Sequence, residues 1–443
     1  MASDVLPARS NPFVHARALS PEESIRRTES DRLLELAAGG HNAALHAPRR
    51  FGKTTLLKQV LESARERDMP GVLIDLSDVL SVADVAVRLE QAYQALPGAI
   101  RRLIGKELAT VGLTTPLGGI SIGRRAASAE PIAAVHALLE LPAQIAERHG
   151  QRVLVVLDEF QALVSQEGLD GVFRSHIQHH RDVSYIFAGS EPSMMRALFE
   201  DRARPLYGQA ERIQLGRLPD DEAYDFLIRL FEESGKQCSP EPASELVMIA
   251  EGHPQRLMLI GHALWERVAA SSVASMSDLR VAHDATMRAV GPELRYLWEA
   301  MTTNERRVLS ILASGLSPYQ QDARLHTGLA STSSVARSVE GLESKSIVER
   351  ADPKDRLRIV DPLLGRWVRQ NGGARVQIHV FPHKDGFAVT DGPSLAFIRA
   401  TCETLAEAEA EADRIAAGSR GSEVMIYDTT DPNDLPDWAL LDG

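Results

Sequence analysis

Short apolar runs alternate with amphipathic helical segments along the first half of the chain. Between them, stretches such as KTTLLKQVLESARER place leucine and valine at helical spacing. Strands that alternate with helices favour a doubly wound α/β fold, in which helices cover both faces of a parallel sheet. We therefore expect four or five parallel strands, at residues 42–47, 71–76, 153–157, 183–190 and 211–215. A helix is expected after the second of them, to about residue 108.

The pattern changes after the fifth run, where helical periodicity continues without strands to about residue 290. A new helical unit begins at TTNERRVLSILASG. The segment after it resembles a winged helix-turn-helix, with two short helices, a helix near 333–345 and two strands around the turn DPKD. The pattern of the remaining residues, 373–443, predicts a small α+β domain with elements in the order β-β-α-β. The predicted domains are a doubly wound sheet domain (1–217), a helical lid (218–298), the winged helix (299–372) and the small domain (373–443).

Composition narrows the class of protein. The chain of 443 residues is 44% hydrophobic and 25% charged, which is typical of globular proteins of two or three domains. Cys238 and Cys402 have no metal or disulfide spacing, and the chain has neither a signal peptide nor a membrane span, so we expect a cytoplasmic protein. The net charge of −12 argues against attraction of the whole surface to nucleic acid, but not against a local basic face.

LHAPRRFGKTTLL resembles a phosphate-binding loop between a strand and a helix. Gly52 allows backbone N–H groups to surround an anion, Lys53 can reach the β and γ phosphates, and the Thr54 hydroxyl can bind Mg²⁺. Ala47 replaces the usual first glycine, which is a small steric change. The alternative is a chance Gly-Lys-Thr in a basic loop. Nucleotide contacts are expected from Pro48, Arg49, Arg50, Phe51, Gly52, Lys53, Thr54 and Thr55.

Two acids follow the apolar run RVLVVL. Asp158 could hold Mg²⁺, and Glu159 could orient the attacking water, because both come where a central strand should meet the phosphates. Two solvated acids at a strand end are the alternative. Ser190 follows the next strand and could sense the γ phosphate or cap the following helix. Lys53, Glu159 and Ser190 are therefore the predicted catalytic residues, and Thr54 and Asp158 the metal ligands.

Together these residues resemble the archaeal-type ATPases, a branch of the AAA+ and STAND P-loop ATPases. The matching stretches lie within about the first 270 residues and include NPFVHARALSPEES, APRRFGKTTLL, VLVVLDEFQAL, SHIQHHRDVSYIFAGSEPSMMRALFEDRARPLYGQ and EGHPQRL. The resemblance implies ATP and Mg²⁺ as cofactors, with Walker A at Lys53 and Thr54 and Walker B at Asp158 and Glu159. It also implies that His253, between Gly252 and Pro254, reports the nucleotide state; alternatively, these residues only separate two helices.

The chain departs from the family pattern at two positions. Arg26 stands where many relatives have glycine, and Gln209 stands where relatives often have arginine. If an arginine acts on the γ phosphate of a neighbouring subunit, the candidates are Arg202, Arg204 and Arg212. A solvated basic surface is the alternative for each of them.

Double-stranded DNA is one predicted partner, through residues 330–358 of the winged helix. The expected base contacts are Thr332, Ser333, Ser334, Arg337 and Ser338, and the expected phosphate contacts are Lys345, Lys354, Arg356 and Arg358. Glu340 and Glu343 on the same helix weaken the electrostatic case. Packing against the ATPase core, a protein partner or another copy of the chain stays open as the alternative.

The sequence thus predicts an ATP-binding P-loop ATPase that acts as a nucleotide-dependent molecular switch. Its Mg²⁺-dependent hydrolysis is expected to be slow, and its nucleotide state is expected to be coupled to the winged helix. One alternative is a DNA-binding regulator or loader in which ATP mainly supports assembly. Another is a scaffold with a degenerate pocket.

Overall fold

The computed structural model of the chain falls into two compact units. The sheet unit comprises residues 17–216, and the C-terminal unit comprises residues 1–16 and 217–443. The residues that the structure describes are 10–96, 131–166, 168–270, 272–320, 329, 331–351, 356–371, 377–383, 386–390, 398–417 and 423–426. Among them, every helix is too short or too polar to cross a lipid bilayer. The domain limits given above stay predictions.

The sheet unit contains one five-stranded parallel sheet, as the sequence predicts. The strands are β1 Ala43–His46, β2 Gly71–Asp75, β3 Val153–Asp158, β4 Val183–Gly189 and β5 Glu211–Gln214. Their order is β2-β3-β4-β1-β5, and every pairing is parallel. The carboxyl ends of all five strands therefore lie at the same edge, where β4 separates β1 from β3.

Helices cover both faces of this sheet. They are α1 Thr28–Ala38, α2 Lys53–Glu66, α3 Val82–Gln94, α4 Pro131–His149, α5 Leu169–Ile177 and α6 Pro192–Glu200, with a 3-10 helix at Phe160–Ser165. Every residue of β3 and β4 is buried, which is why both strands are almost continuously apolar. The predicted helix after β2 is α3; its expected continuation from residue 97 to 108 lies outside the described residues.

The C-terminal unit begins with a helical bundle. Its elements are α7 Asp220–Glu233, α8 Pro240–Ala250, α9 Pro254–Arg267 and α10 Met276–Glu299, with the short strands β6 Gln237–Cys238 and β7 Val273–Ala274. Phe13 belongs to this unit and is buried against Phe231, with ring centroids 5.2 Å apart. The bundle therefore has an aromatic core to which the N-terminal segment contributes.

The following segment has most of the elements expected of a winged helix. They are α11 Thr303–Ala313, α12 Thr332–Ser344, the antiparallel strands β8 Val348–Ala351 and β9 Arg356–Ile359, and α13 Pro362–Asn371. Thr302 and Glu305 form the predicted capping box at α11. The second short helix falls largely on residues 321–328, and the turn DPKD with Lys354 on 352–355; both lie outside the described residues.

The last sheet has one strand more than the β-β-α-β order predicted. Its strands are β10 Gln377–His383, β11 Gly386–Thr390, β12 Ile398–Cys402 and β13 Glu423–Ile426, with α14 Leu405–Ala417 before β13. The order β12-β11-β10-β13 makes β12 an edge strand beside β11. Within β12, Ala400 and Cys402 contact the core between exposed residues. Such small inward side chains give a weak alternating pattern, which explains the error.

Candidate active site

The loop between β1 and α2 has the geometry of an anion-binding turn. Gly52 has a φ of 85°, in the left-handed region, and immediately precedes the first residue of α2. A Cβ at Gly52 would meet nothing within 4 Å, so glycine is favoured there by backbone conformation. Ala47 is buried, and its N–H donates to the carbonyl of Gly189 at 3.3 Å. Alanine is therefore accommodated at the first position of the motif.

Some side chains of the predicted loop serve local packing. Phe51 and Pro48 are buried, and the Thr55 hydroxyl accepts a hydrogen bond from the backbone N–H of Leu19 at 3.1 Å. Arg49 and Arg50 are exposed. Phe51 and Thr55 could therefore contact a nucleotide only through their backbone N–H groups. Thr55 lies in the first turn of α2, where backbone N–H groups have no acceptor within the helix.

Lys53 lies between the two predicted acids. Its Nζ donates to Asp158 Oδ1 and to Glu159 Oε1, the latter at 2.7 Å, and its side chain is only 6% exposed. The Thr54 hydroxyl donates to Asp158 Oδ2 at 2.9 Å. The structure thus brings together all four residues predicted from the Walker motifs, because β1 and β3 end at the same edge of the sheet.

Ser190 joins this cluster from the end of β4. Its hydroxyl donates to Glu159 Oε2 at 2.7 Å, and the residue is buried. The alternative role as a helix cap does not apply, because the N-cap of α6 is Glu191 and makes no side-chain capping bond. The strand order explains the contact, since β4 lies between the strands that carry Lys53 and Glu159.

Gln161 is a member of the cluster that the sequence analysis missed. Its side-chain amide donates to Glu159 Oε2 at 2.5 Å and to the Ser190 hydroxyl at 3.3 Å. Glu159 has a φ of 55°, which starts the 3-10 helix and brings Gln161 back toward the carboxylate. The signal in the sequence was a polar amide inside the otherwise apolar stretch FQALV, and the structure shows that this side chain is buried.

Glu159 is a carboxylate at neutral pH. Burial raises its pKa, but the charge and hydrogen bond of Lys53, with the bonds from Ser190 and Gln161, outweigh burial and lower the pKa below its usual value. The carboxylate is therefore charged throughout the neutral range and can accept a proton. The Thr54 hydroxyl and the Asp158 carboxylate are oxygen donors of the kind that Mg²⁺ prefers, so this pair fits such an ion.

We expect Gly189→Ala to disturb the cluster through Gln161. A Cβ at Gly189 would lie 2.5 Å from Met195 Cγ and 2.6 Å from Gln161 Oε1, so both side chains must move. Overpacking of this kind costs about 1–3 kcal/mol, measurable as a lower free energy of unfolding. Gly171→Ala is the matched control, since its Cβ meets nothing within 4 Å and alanine favours a helix. Equal stability of the two variants would contradict this packing.

His253 belongs to the C-terminal unit, where it caps a helix. Its Nδ1 accepts a hydrogen bond from the backbone N–H of Arg256 at the start of α9. Gly252 has a φ of 67°, and a Cβ there would lie 2.5 Å from the carbonyl oxygen of Leu218. Both residues thus have a structural role between α8 and α9. A role of His253 in reporting the nucleotide state stays a prediction.

His253 should make stability depend on pH. Burial lowers its pKa from 6.5 to about 3. Below pH 6.5 the unfolded chain therefore binds a proton that the folded chain does not, and stability falls as the pH falls. The expected loss is about 1.4 kcal/mol per pH unit. His253→Asn keeps a capping side chain and removes this titration.

Denaturant unfolding of both proteins above and below pH 6.5 measures the difference. Burial also lowers the pKa of His46 and His379, each to about 4, but their contributions are common to both proteins. An unchanged pH slope in His253→Asn would show that folding does not lower the pKa of His253.

Two of the three candidate arginines are held by carboxylates. Arg204 lies 3.4 Å from Asp170, and Arg212 lies 2.6 Å from Glu200. Arg202 is exposed. Which arginine, if any, acts on the γ phosphate of a neighbouring subunit stays a prediction, with a solvated basic surface as the alternative.

The predicted DNA-contacting residues have mixed environments. Thr332, Ser333, Arg337 and Arg356 are exposed, whereas Ser338 is buried and its hydroxyl donates to the Ser334 carbonyl at 2.9 Å. The prediction that Ser338 faces bases is therefore wrong, because this position of α12 faces the core. Lys345 pairs with Glu305 at 2.8 Å, and Arg358 pairs with Glu251 at 2.8 Å.

Comparison with known proteins agrees with this geometry. The structure is similar to the Walker-type ATPase PABY2304 of Pyrococcus abyssi, with a TM-score of 0.60 and 19% identity, over 81% of this chain and 99% of that one. It is also similar to the Aeropyrum pernix ORC2 protein in its ADPNP–ADP complexes, with a TM-score of 0.50 and 14% identity, over 81% and 98%. These likenesses show the P-loop fold.

Among curated proteins, no sequence matches this chain. Residues 26–260, more than half of the chain, match the family described as an ATPase domain predominantly from Archaea. That span includes the loop, both acids, Ser190 and His253. The chain belongs to this family of ATPases.

Proposed function

We propose that this ATPase is a nucleotide-dependent molecular switch, with slow Mg²⁺-dependent hydrolysis of ATP at the cluster of Lys53, Thr54, Asp158, Glu159 and Ser190. The observation that carries the proposal is the position of Lys53, which neutralises both acids at the carboxyl edge of the sheet. When ATP binds, the Lys53 ammonium group can leave these carboxylates and contact phosphate oxygens instead. The charge distribution of the site would then depend on the nucleotide.

Nucleotide binding would change the partners of Glu159. Phosphate oxygens compete with the carboxylates for Lys53 and are favoured by the N-terminus of α2. When Lys53 turns toward them, Glu159 Oε1 loses its partner and can accept a hydrogen bond from water. Its other oxygen, Oε2, stays held by Ser190 and Gln161.

Thr54 and Asp158 would hold Mg²⁺, which supplies a Lewis acid that neutralises charge on the phosphates. Glu159 would orient a water for in-line attack on the γ phosphate and take its proton. Two of the three candidate arginines, Arg204 and Arg212, pair with carboxylates and would have to leave them to act on the γ phosphate, which favours a slow reaction.

Ion pairs in the C-terminal unit support the coupling to the winged helix. The buried guanidinium of Arg217 donates to the carbonyls of Glu251, Ile359 and Val360, and it pairs with Glu349 at 2.8 Å.

Arg256 donates to both carboxylate oxygens of Asp361, one of them at 3.0 Å. Truncating one partner of a buried pair is costly. These contacts join the helical bundle to β8, to β9 and to the residues that follow β9. A shift of the bundle would move both strands.

Hydrogen exchange tests the switch. In the full chain, amides of residues 217–371 should exchange at different rates with Mg²⁺–ADP and with a non-hydrolysable ATP analogue. The variant Lys53→Ala should show no such difference, because it lacks the side chain that contacts the β and γ phosphates. Nucleotide effects confined to residues 17–216 would contradict the switch.

A DNA-binding regulator, with ATP mainly supporting assembly, has less support. Of the four predicted phosphate contacts, Lys345 and Arg358 are paired with carboxylates, and Lys354 lies outside the described residues. Titration with duplex DNA at several salt concentrations separates the two functions. Tight, salt-dependent binding that is unaffected by the type of nucleotide would favour the regulator.

A further inference from the structure

Three histidines and a glutamate converge in the sheet unit away from the nucleotide loop. His136 and Glu140 are four residues apart on α4, so they lie on one face of the helix. His176 is in the last turn of α5, and His180 lies three residues after its end. The helix α4, the last turn of α5 and the residues just after α5 thus place four potential metal ligands side by side.

The distances suit a small cation. His176 Nδ1 lies 2.8 Å from Glu140 Oε2, and His180 Nε2 lies 3.5 Å from the same oxygen. Ligand atoms of these three residues all lie within 4.8 Å of one another. Tetrahedral zinc, with ligands at about 2.0–2.2 Å, needs ligand atoms about 3.3 Å apart. The two distances to Glu140 Oε2 differ from this spacing by about half an ångström or less.

The two histidine rings are oriented through their other nitrogens. His176 Nε2 lies 2.8 Å from His136 Nδ1, and His180 Nδ1 lies 2.6 Å from the Tyr185 hydroxyl. Each ring can therefore direct a lone pair toward Glu140 while its second nitrogen donates a hydrogen bond. Outer partners of this kind are typical of histidine ligands in metal sites.

His180 gives independent evidence for a ligand. Its side chain is only 2% exposed, and its Nε2 lies 3.5 Å from Glu140 Oε2, which is longer than a normal hydrogen bond, with no other acceptor or donor near it among the described residues. A buried polar atom without a partner is costly, and a bound cation would satisfy it. The Glu140 side chain is 47% exposed, so an ion can enter from solvent.

We propose that Glu140, His176 and His180 bind one zinc ion, with His136 and Tyr185 orienting the two imidazoles and water completing the coordination. Imidazole nitrogen with one carboxylate favours zinc over Mg²⁺. The site lies where β4 begins, at Val183, whereas Ser190 follows the opposite end of the same strand. The ion would join α4 to the end of α5 and stabilise the sheet unit without contacting ATP.

Zinc titration of the full chain, after removal of metals with a chelator, tests this site. We expect one zinc per chain, a higher melting temperature on binding, and tetrahedral visible absorption when cobalt(II) replaces zinc. Glu140→Gln, a change at a half-exposed position, should weaken zinc binding more than about tenfold, and Tyr185→Phe about tenfold. His179→Ala is the matched control, because this exposed histidine beside the site should leave binding unchanged.

Lys53→Ala should bind zinc as the natural chain does, so failure at the nucleotide site would not affect this result. Zinc binding that is equally tight in Glu140→Gln, or cobalt absorption without tetrahedral character, would overturn the proposal. If His180→Ala and Glu140→Gln both fold but retain the full melting shift with zinc, the ion binds elsewhere, and the proposal is again overturned.

Discussion

Lys53→Ala will raise the dissociation constant for ATP by about a hundredfold or more, equivalent to about 2.7 kcal/mol. Two effects combine in this variant. The lysine that contacts the β and γ phosphates is lost, and the carboxylates of Asp158 and Glu159 lose the cation that neutralises them. An anionic ligand would then enter a pocket with uncompensated negative charge. Calorimetric titration with Mg²⁺–ATP measures the change.

Lys58→Ala provides the control for this experiment. Lys58 lies five residues further along α2, so the variant removes one positive charge from the same helix without altering the cluster. Its affinity for ATP should stay within a factor of about two of the natural chain, as is usual for a screened surface charge. If both variants bind ATP as the natural chain does, the loop does not hold the nucleotide.

Glu159→Gln will slow ATP turnover by about a hundredfold to a thousandfold while ATP binding changes little. The amide keeps the size of the side chain and can retain the contacts of Oε2 with Ser190 and Gln161, but it cannot take a proton from water. Loss of the negative charge also leaves Lys53 freer to contact phosphate. The expected signature is therefore a low rate constant for hydrolysis with ATP affinity equal to or higher than that of the natural chain.

The matched control is Glu191→Gln. Glu191 follows Ser190 at the same edge of the sheet, and its carboxylate lies 3.9 Å from the guanidinium of Arg49, outside the cluster. Its turnover should equal that of the natural chain. If Glu159→Gln hydrolyses ATP at the rate of the natural chain, Glu159 is not the general base, and another group accepts the proton of the attacking water.

Residues adjacent in sequence to the strand ends were predictable. Five strand-like runs predicted the strands of the sheet, and the rule that ligands bind at the carboxyl edge placed Lys53, Asp158 and Ser190 together. These predictions needed only periodicity and spacing. The family match over residues 26–260 includes all five strands and the residues that follow them.

Features that depend on packing between distant residues were not predictable. Gln161 reaches Glu159 only because Glu159 adopts a left-handed backbone, and Gly189 is required by the close approach of Met195. Neither condition leaves a periodic signal.

Ser338 was predicted to face bases because the third helix of a winged helix usually enters the major groove, but its side chain is buried and its hydroxyl donates to the carbonyl of Ser334, one turn earlier. The histidines near Glu140 come from two segments about 40 residues apart, so their convergence also required the structure.

The central claim is that this chain cleaves ATP at the cluster formed by Lys53 and Glu159. A single-turnover experiment tests it most directly: labelled ATP is bound to excess natural protein with Mg²⁺, and the bound nucleotide is identified over time. We predict slow, complete conversion of bound ATP to ADP and phosphate by the natural chain, and ATP that stays bound and intact on Glu159→Gln. Bound ATP that remains intact on the natural chain as well would contradict the account.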